Sequence, residues 1–497
     1  MSIPVTEQQH GQCRTWPRHV GLLNDYLRIP YANGSSFASQ FIYRELLARG
    51  QEVTVMGPKE VEAAPHELPD QHVQFPSLPL RSHPGVYLAL PGRAALRQAA
   101  AKKFDVTLAQ TSNAFLDLAT WLRIAHNVPS LVVNTVHLPS AANVILPDSL
   151  LHNRTVRSVF FDRFIPWVES LYVQNCNLTD GLIVLSESFE EYWRKRGVTV
   201  PIHVIPRAVE PKIFDCVHNE DPFPATARRG GRLLVVCRHT REKEIERLLE
   251  IFARWIAPSV PEATLTLVGD GPDHDTFKDK AEQLGIADRT FFPGEFPVTQ
   301  IPTYYAHADL FVYTSLSETY GQVISEALWC GLPVVALHDG MGVSSQIRDG
   351  ETGVLVRPGP DRDFSDWRFG SEVVALLRNR SRRFGMAEAA RTNRRREVTP
   401  ERVIDRYYEA FDSARRHCAE TQEERKRISA AGKLAHWSWI NVATAAFGML
   451  RAPAVVNRHG RKQPSWEAFE NQLASRDSGL HTAIELPGEE GPARVGA

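Results

Sequence analysis

The sequence predicts an α/β protein made of two doubly wound parallel sheets, followed by a helical C-terminal extension. Three observations predict it. From His19 onward, short apolar runs alternate with polar or glycine-bearing turns and helical patterns, which is the signature of a parallel sheet covered on both sides. That alternation lapses once, after Pro206, and then starts again at Arg232. The 497 residues also exceed one ordinary domain, since domains run to roughly 100–200 residues.

The first winding places strands at 19–24, 52–56, 104–109, 130–136, 181–185 and 202–205, with helices between them. Residues 58–91 carry Pro58, Pro65, Pro69, Pro76, Pro79, Pro84 and Pro91 and are expected to form one long loop, because proline removes a donor and fixes φ. Polar, proline-containing residues 208–230 suit an interdomain linker. The second winding has strands at 232–238, 264–269, 290–294, 309–315 and 332–337. The expected division is a tail at 1–18, a first domain at 19–207, the linker, a second domain at 231–400, a closing helix at 401–417 and an extension at 418–497. Ligands of such sheets bind where strand carboxyl ends line a cleft, here expected between the two domains.

Composition narrows the function. Lys+Arg 57 against Asp+Glu 58 gives a net charge of -1, so no overall field draws in nucleic acid. The six cysteines form no C-x-x-C pair, which argues against a zinc site or a disulfide framework and for a reducing compartment. No run reaches the ~18 apolar residues of a membrane span, and the N-terminus has no signal-like apolar stretch. A cytoplasmic protein is expected.

The richest segment is SETYGQVISEALWCGLPVV, residues 317–335. Glu318, Thr319, Tyr320 and Gly321 fall in the turn after a buried strand, and Gln322–Cys330 form the next helix. Backbone N–H groups from Tyr320 onward then sit at a helix N-terminus, where a diphosphate is bound by orphan donors and the helix dipole. Glu326, eight residues after Glu318, lies a little over two turns along. The bland alternative makes Glu318 a cap and Glu326 a solvated residue.

In VVCRHTREKEIERLLEIF, residues 235–252, Arg238 ends a strand and Lys243 opens the next helix, forming either a phosphate clamp or one side of ion pairs with Glu242, Glu244 or Glu246. Gly269 and Gly271 of LVGDGPDHD permit a tight turn and a close backbone approach to a ligand. Asp273 and Asp275 read as capping residues rather than a metal-binding pair. In the first domain, Gly34 and Ser35 precede a helix beginning near Ser36, and His137 stands at the end of the fourth strand, beside where a reacting sugar carbon would lie.

Together these pieces resemble the retaining, nucleotide-sugar-dependent glycosyltransferases of family four (glycosyl transferases group one), over residues 19 to about 416. The resemblance implies the GT-B fold of two Rossmann-like domains. It implies that Arg238 and Lys243 bind the diphosphate, that Glu318 contacts donor sugar hydroxyls, that Glu326 meets the ribose, and that His137 lies near the transferred sugar. Gly34, Ser35, Gly269, Gly271, Thr319, Tyr320 and Gly321 would line the donor. Two loops depart from the family pattern, Asn33-Gly34-Ser35 and HDGMGVSSQI after PVVAL. Both bear on which sugar is used.

The implied reaction transfers sugar from a nucleotide diphosphate, UDP ahead of GDP, with retention and without a metal or cofactor. The acceptor is read as a lipid-linked or surface glycan, and the alternatives are a small soluble acceptor or a silent sugar-nucleotide-binding regulator. In the extension, residues 432–457 place Trp437, Trp439, Phe447 and Leu450 among basic residues. That segment either lies on a membrane surface or packs on the first domain. The arginine-rich run 378–396 reads as a solvated helix face, and the tail beyond Ser475 as disordered.

Overall fold

The computed structural model describes residues 16–28, 34–60, 63, 68–80, 87–110, 114–139, 153–227 and 229–449. The chain forms two compact units. One comprises the described residues up to Arg207 together with the helices from Pro400 to Met449, and the other runs from Ala208 to Thr399.

In the first unit the strands are β1 (His19–Leu23), β2 (Glu52–Pro58), β3 (His72–Phe75), β6 (Val106–Ala109), β7 (Ser130–Val133), β8 (Gly181–Val184) and β9 (Ile202–Val204). They make one seven-stranded parallel sheet in the order β3-β2-β1-β6-β7-β8-β9. Every residue of β1, β6, β7 and β8 is buried. This is why these strands read as mostly apolar runs: a parallel strand between two helical layers has no wet face.

The loop expected at 58–91 is partly regular. It contains β3 and an antiparallel ribbon of β4 (Ser77–Pro79) and β5 (Tyr87–Ala89). Its prolines did not forbid this because of where they fall: Pro58 and Pro79 end strands and Pro76 separates two, so no interior ladder bond is lost.

The second unit holds β10 (Arg232–Val236), β11 (Thr264–Val268), β12 (Thr290–Gly294), β13 (Leu310–Tyr313), β14 (Val334–Leu337) and β15 (Gly353–Val356). They form a six-stranded parallel sheet in the order β12-β11-β10-β13-β14-β15. The edge strand β15 escaped the sequence reading because its four residues follow the polar turn DGET. The stretch expected as a linker is part of this unit. Val209, Ile213, Phe214 and Phe223 enter its core, and the Val209 N–H donates to the Val398 carbonyl at 3.0 Å.

The helix Pro400–Glu420 returns the chain to the first unit, where Tyr408 Oη donates to Gln51 Oε1 at 2.8 Å. The helix Ala430–Met449 packs along the helix Ala114–His126 of the same unit. Trp437 is 0% exposed, lies among Phe75 and Phe115, and donates from Nε1 to the Ala89 carbonyl at 3.0 Å. His436 and Lys433 bond Asp117 and Asn175 at 2.9 and 2.6 Å. Trp437 is therefore not a membrane-facing side chain, and of the two alternatives for 432–457 the packed one holds for this turn. Trp439, two positions on and hence on the opposite face, is 57% exposed. The side chain of Phe447, and all of Leu450 and the tail, lie outside the described residues. Among the described residues no helix is long and apolar enough to cross a membrane.

Candidate active site

The second sheet changes winding direction between β10 and β13: from β10 the chain moves to β11 and β12, and from β13 to β14 and β15 on the other side. Loops leaving the carboxyl ends of such a pair diverge and leave a crevice, the usual ligand position in open α/β sheets. Here the loops are residues 237–244 and 314–321. They are laced together, with Thr314 Oγ1 donating to the Glu244 carbonyl at 3.0 Å and Ser317 Oγ to the Glu242 carbonyl at 3.3 Å. The helix expected to open near Lys243 is preceded by a 3-10 turn, Arg241–Lys243, and by Glu244 at φ 55, and it begins at Ile245.

Across this crevice Lys243 Nζ donates to Glu318 Oε1. The same oxygen accepts from Tyr313 Oη at 2.7 Å and from Ser315 Oγ at 3.3 Å. Among the described residues, no hydrogen bond reaches Glu318 Oε2. Burial opposes the charge on Glu318, but the Lys243 charge and the three donors outweigh it and hold the carboxyl below the usual range. Lys243 behaves in mirror image: burial works against its charge, and Glu318 carries the ammonium above its ordinary value. The pair is ionised at neutral pH. Arg238 is exposed just beyond β10.

Glu326 lies on the helix Gln322–Trp329, where its Oε2 accepts from Tyr305 Oη at 3.0 Å. Burial pushes its carboxyl up to about 7, against hydrogen bonds from Tyr305 and Gln322. The two glutamates thus have different partners and opposite shifts. Their phenols are linked: the rings of Tyr305 and Tyr313 each lie 5.8 Å from Phe311.

Gly321 is the N-cap of the Glu326 helix at φ 76, a conformation that favours glycine. Tyr320 is buried and Thr319 half-buried. The turn is held from behind by residues the sequence did not single out. Gln346 Nε2 donates to the carbonyls of Tyr320, Gly321 (3.2 Å) and Gly342 (3.0 Å), and its Oε1 accepts from Arg394 Nη2. Arg394 also donates from Nε to Ser325 Oγ at 3.0 Å and is only 5% exposed. The run 378–396 is thus not simply a solvated face. Asp339 shapes the HDGMGVSSQI loop by accepting from the N–H groups of Met341, Val343 and Ser344, each at 2.9 Å.

Gly269 and Gly271 serve the chain itself. A Cβ at Gly269, where φ is 135, would collide with the Cys237 carbonyl, and one at Gly271 with the His239 carbonyl. Their smallness lets the turn after β11 lie against the loop after β10. His239 and His274 seal that contact with stacked rings and Nδ1 atoms 2.8 Å apart. Asp273 accepts from the Arg241 N–H at 3.0 Å, and Asp275 is exposed on the helix His274–Gln283.

The remaining expected residues belong to the first unit. Gly34 opens the helix Gly34–Ala48, two residues earlier than expected, with Ser35 in its first turn. His137 follows the end of β7 by four residues rather than ending the strand, with its ring 5.7 Å from Phe189 and 5.1 Å from Tyr192. Burial lowers its pKa, as does Arg196, while Glu169 works in the opposite direction. The imidazole is neutral at pH 7.

Two parallel-sheet units with this crevice have the GT-B architecture of glycosyltransferases, and the comparisons agree. The chain belongs to the group 1 and family 4 glycosyltransferases: the family described as Glycosyl transferases group 1 matches residues 221–391, and Glycosyltransferase Family 4 matches residues 40–213. An alpha-monoglucosyldiacylglycerol synthase of Streptococcus pneumoniae is 25% identical over 344 residues, which is 68% of this chain and 74% of that protein. An N-acetyl-alpha-D-glucosaminyl L-malate synthase of Bacillus anthracis is 27% identical over 35% of this chain and 43% of its own length. The crystal structure of Anabaena Alr3699/HepE in complex with UDP is similar in fold, with a TM-score of 0.59 and 17% identity, covering 80% of this chain and all of that one.

Proposed function

We propose that this glycosyltransferase moves a sugar from a nucleotide diphosphate donor, a UDP-sugar ahead of a GDP-sugar, to a lipid-linked or glycan acceptor, with retention of configuration and without a metal. One observation carries the reading: Glu318 spends Oε1 on Lys243, Tyr313 and Ser315 and keeps Oε2 for a ligand. A carboxylate held this way is fixed in position and charge, and its open oxygen suits a sugar hydroxyl.

Lys243 and the exposed Arg238 supply positive charge for a departing diphosphate. Stabilising charge that develops on a leaving group is the commonest large contribution to catalysis. Glu326 is the acceptor for ribose hydroxyls, and Thr319, Tyr320 and Gly321 bring the helix N-terminus to the phosphates. In the first unit the candidate residues are Gly34, Ser35 and the neutral His137. Retention is read as acceptor attack on the face that the leaving group vacates, with a donor phosphate oxygen taking the proton. The lipid acceptor is favoured by the diacylglycerol glycoside made by the pneumococcal relative. A small acceptor is the second reading, favoured by the malate-using relative.

The test is a thermal-shift panel of nucleotides and nucleotide sugars, followed by turnover of the best donor with diacylglycerol and with soluble hydroxy acids in the presence of a chelator. A UDP-sugar that raises the melting temperature and gives an α-glycoside of the lipid is the expected result. An inverted product by NMR, or activity abolished by the chelator, refutes the mechanism.

A further inference from the structure

We propose that the helical segment from Arg154 to Trp167 of the first unit is a docking surface for an anionic lipid bilayer. The segment comprises the helix Arg154–Val159, a π-helical turn Phe160–Phe164 and the start of the helix Ile165–Cys176. Its inner side is anchored by buried Phe160 and Ile165, with Leu138 and Phe161 packed against them. Its outer side presents Val159, Phe164 and Trp167 at 56%, 41% and 50% exposure. The π turn stacks Phe164 on Phe160 with centroids 5.3 Å apart, and Trp167 follows 6.0 Å further on. A ladder of rings thus runs from the protein interior out into solvent.

Around it stand Arg154, Arg157 and Arg163, all exposed and with no carboxylate partner among the described residues. The one acid in the segment, Asp162, is occupied by Ser158 Oγ at 2.6 Å. Half-exposed aromatic side chains rimmed by unpaired arginines fit a lipid interface, where rings enter the boundary layer and guanidinium groups meet phosphates. The charge complementarity commits the surface to anionic headgroups. This surface is separate from the Ala430–Met449 helix, whose Trp437 is spent on packing. The proposal does not depend on the chemistry of the second unit.

Flotation of the full chain with phosphatidylcholine vesicles, with and without about one third phosphatidylglycerol, tests it. The intact protein is expected to float with the anionic vesicles and to be released by salt. Phe164→Ser/Trp167→Ser should weaken binding about tenfold or more with only a small fall in melting temperature, because both side chains are half-exposed. Arg154→Gln/Arg157→Gln/Arg163→Gln should lose the preference for anionic lipid. Trp439→Ser/Val442→Ser should bind as the parent does. Lys243→Ala should float normally while losing turnover, which separates failure of docking from failure of the glycosyltransferase reading. The proposal is overturned if the intact protein does not float, if the Phe164/Trp167 variant floats equally well, or if that variant instead abolishes self-association of a chain that ignores vesicles.

Discussion

Replacing Lys243 by alanine leaves Glu318 ionised in the crevice with two neutral donors, Tyr313 Oη at 2.7 Å and Ser315 Oγ at 3.3 Å. The lost attraction is about 4 kcal/mol for unit charges some ~4 Å apart at an effective dielectric of ~20. The side chains retain 18% and 15% exposure, so water reaches the vacated carboxylate and the net loss should fall to about 2–3 kcal/mol. In a unit of this size, that is a melting-temperature drop of roughly 4–12 °C. Glu318→Gln in the alanine background removes the stranded charge and should restore part of the loss, giving a coupling above about 1 kcal/mol in a double-mutant cycle.

The pH dependence follows from the directions of the shifts. Glu318 is depressed, so its contribution is present above the ordinary carboxylate value of 4.5 and is lost as pH falls through its lower folded value. Lys243 is raised, so its contribution is present below 10.5 and is lost only as pH rises above that. The stability gap between parent and double variant should be flat across neutral pH and close at both extremes. Turnover of Lys243→Ala should fall about a hundredfold or more. Additive melting shifts, or a gap that persists at acid pH, would refute the pair as an ionised unit.

Two further outcomes are expected. Because burial raises Glu326 to about 7, the native fold loses stability as pH climbs from the ordinary carboxylate range through 7, and affinity for a nucleotide sugar should rise over the same window as the ribose acceptor ionises. A nucleotide sugar is the ligand to titrate, since its phosphodiesters carry no proton there, and an identical pH profile in Glu326→Gln would sink the assignment. Arg394→Met removes the charge behind Gln346 and loosens the Tyr320–Gly321 turn. It should raise KM for the donor several-fold and lower the melting temperature, while Arg396→Met, on the same helix, should do neither.

The central strands of both sheets were legible because a parallel strand buried on both faces is mostly apolar, whereas β3 and β15 at or near polar turns were not read. What was not legible depended on where a residue ends up rather than on what it is. Pro58, Pro76 and Pro79 look like breakers until their positions at strand ends are known. Val209, Ile213, Phe214 and Phe223 sit among polar neighbours that hide their packing. Arg394 and Arg396 are equivalent letters in a basic run, yet one is buried behind the Tyr320 turn. Trp437 and Trp439 lie two positions apart on one helix, so one fills the core and the other meets solvent. An arginine or tryptophan count cannot separate such pairs.

The candidate site divides along the same line. Lys243 and Glu318 were readable because each follows a central strand, and the change of winding direction between β10 and β13 brings those two loops together. Tyr313, Tyr305, Ser315 and Gln346 were not, since a tyrosine on an ordinary strand or helix gives no sign that its hydroxyl will reach a carboxylate. The glycines make the sharpest case. Gly269 and Gly271 show that no Cβ fits, but a sequence does not say what would strike it. A ligand was the expected neighbour, whereas the carbonyls of Cys237 and His239 occupy the space. These glycines press the turn after β11 onto the loop that carries Arg238 and Lys243. Their substitution should disturb that loop even if neither glycine ever touches the donor.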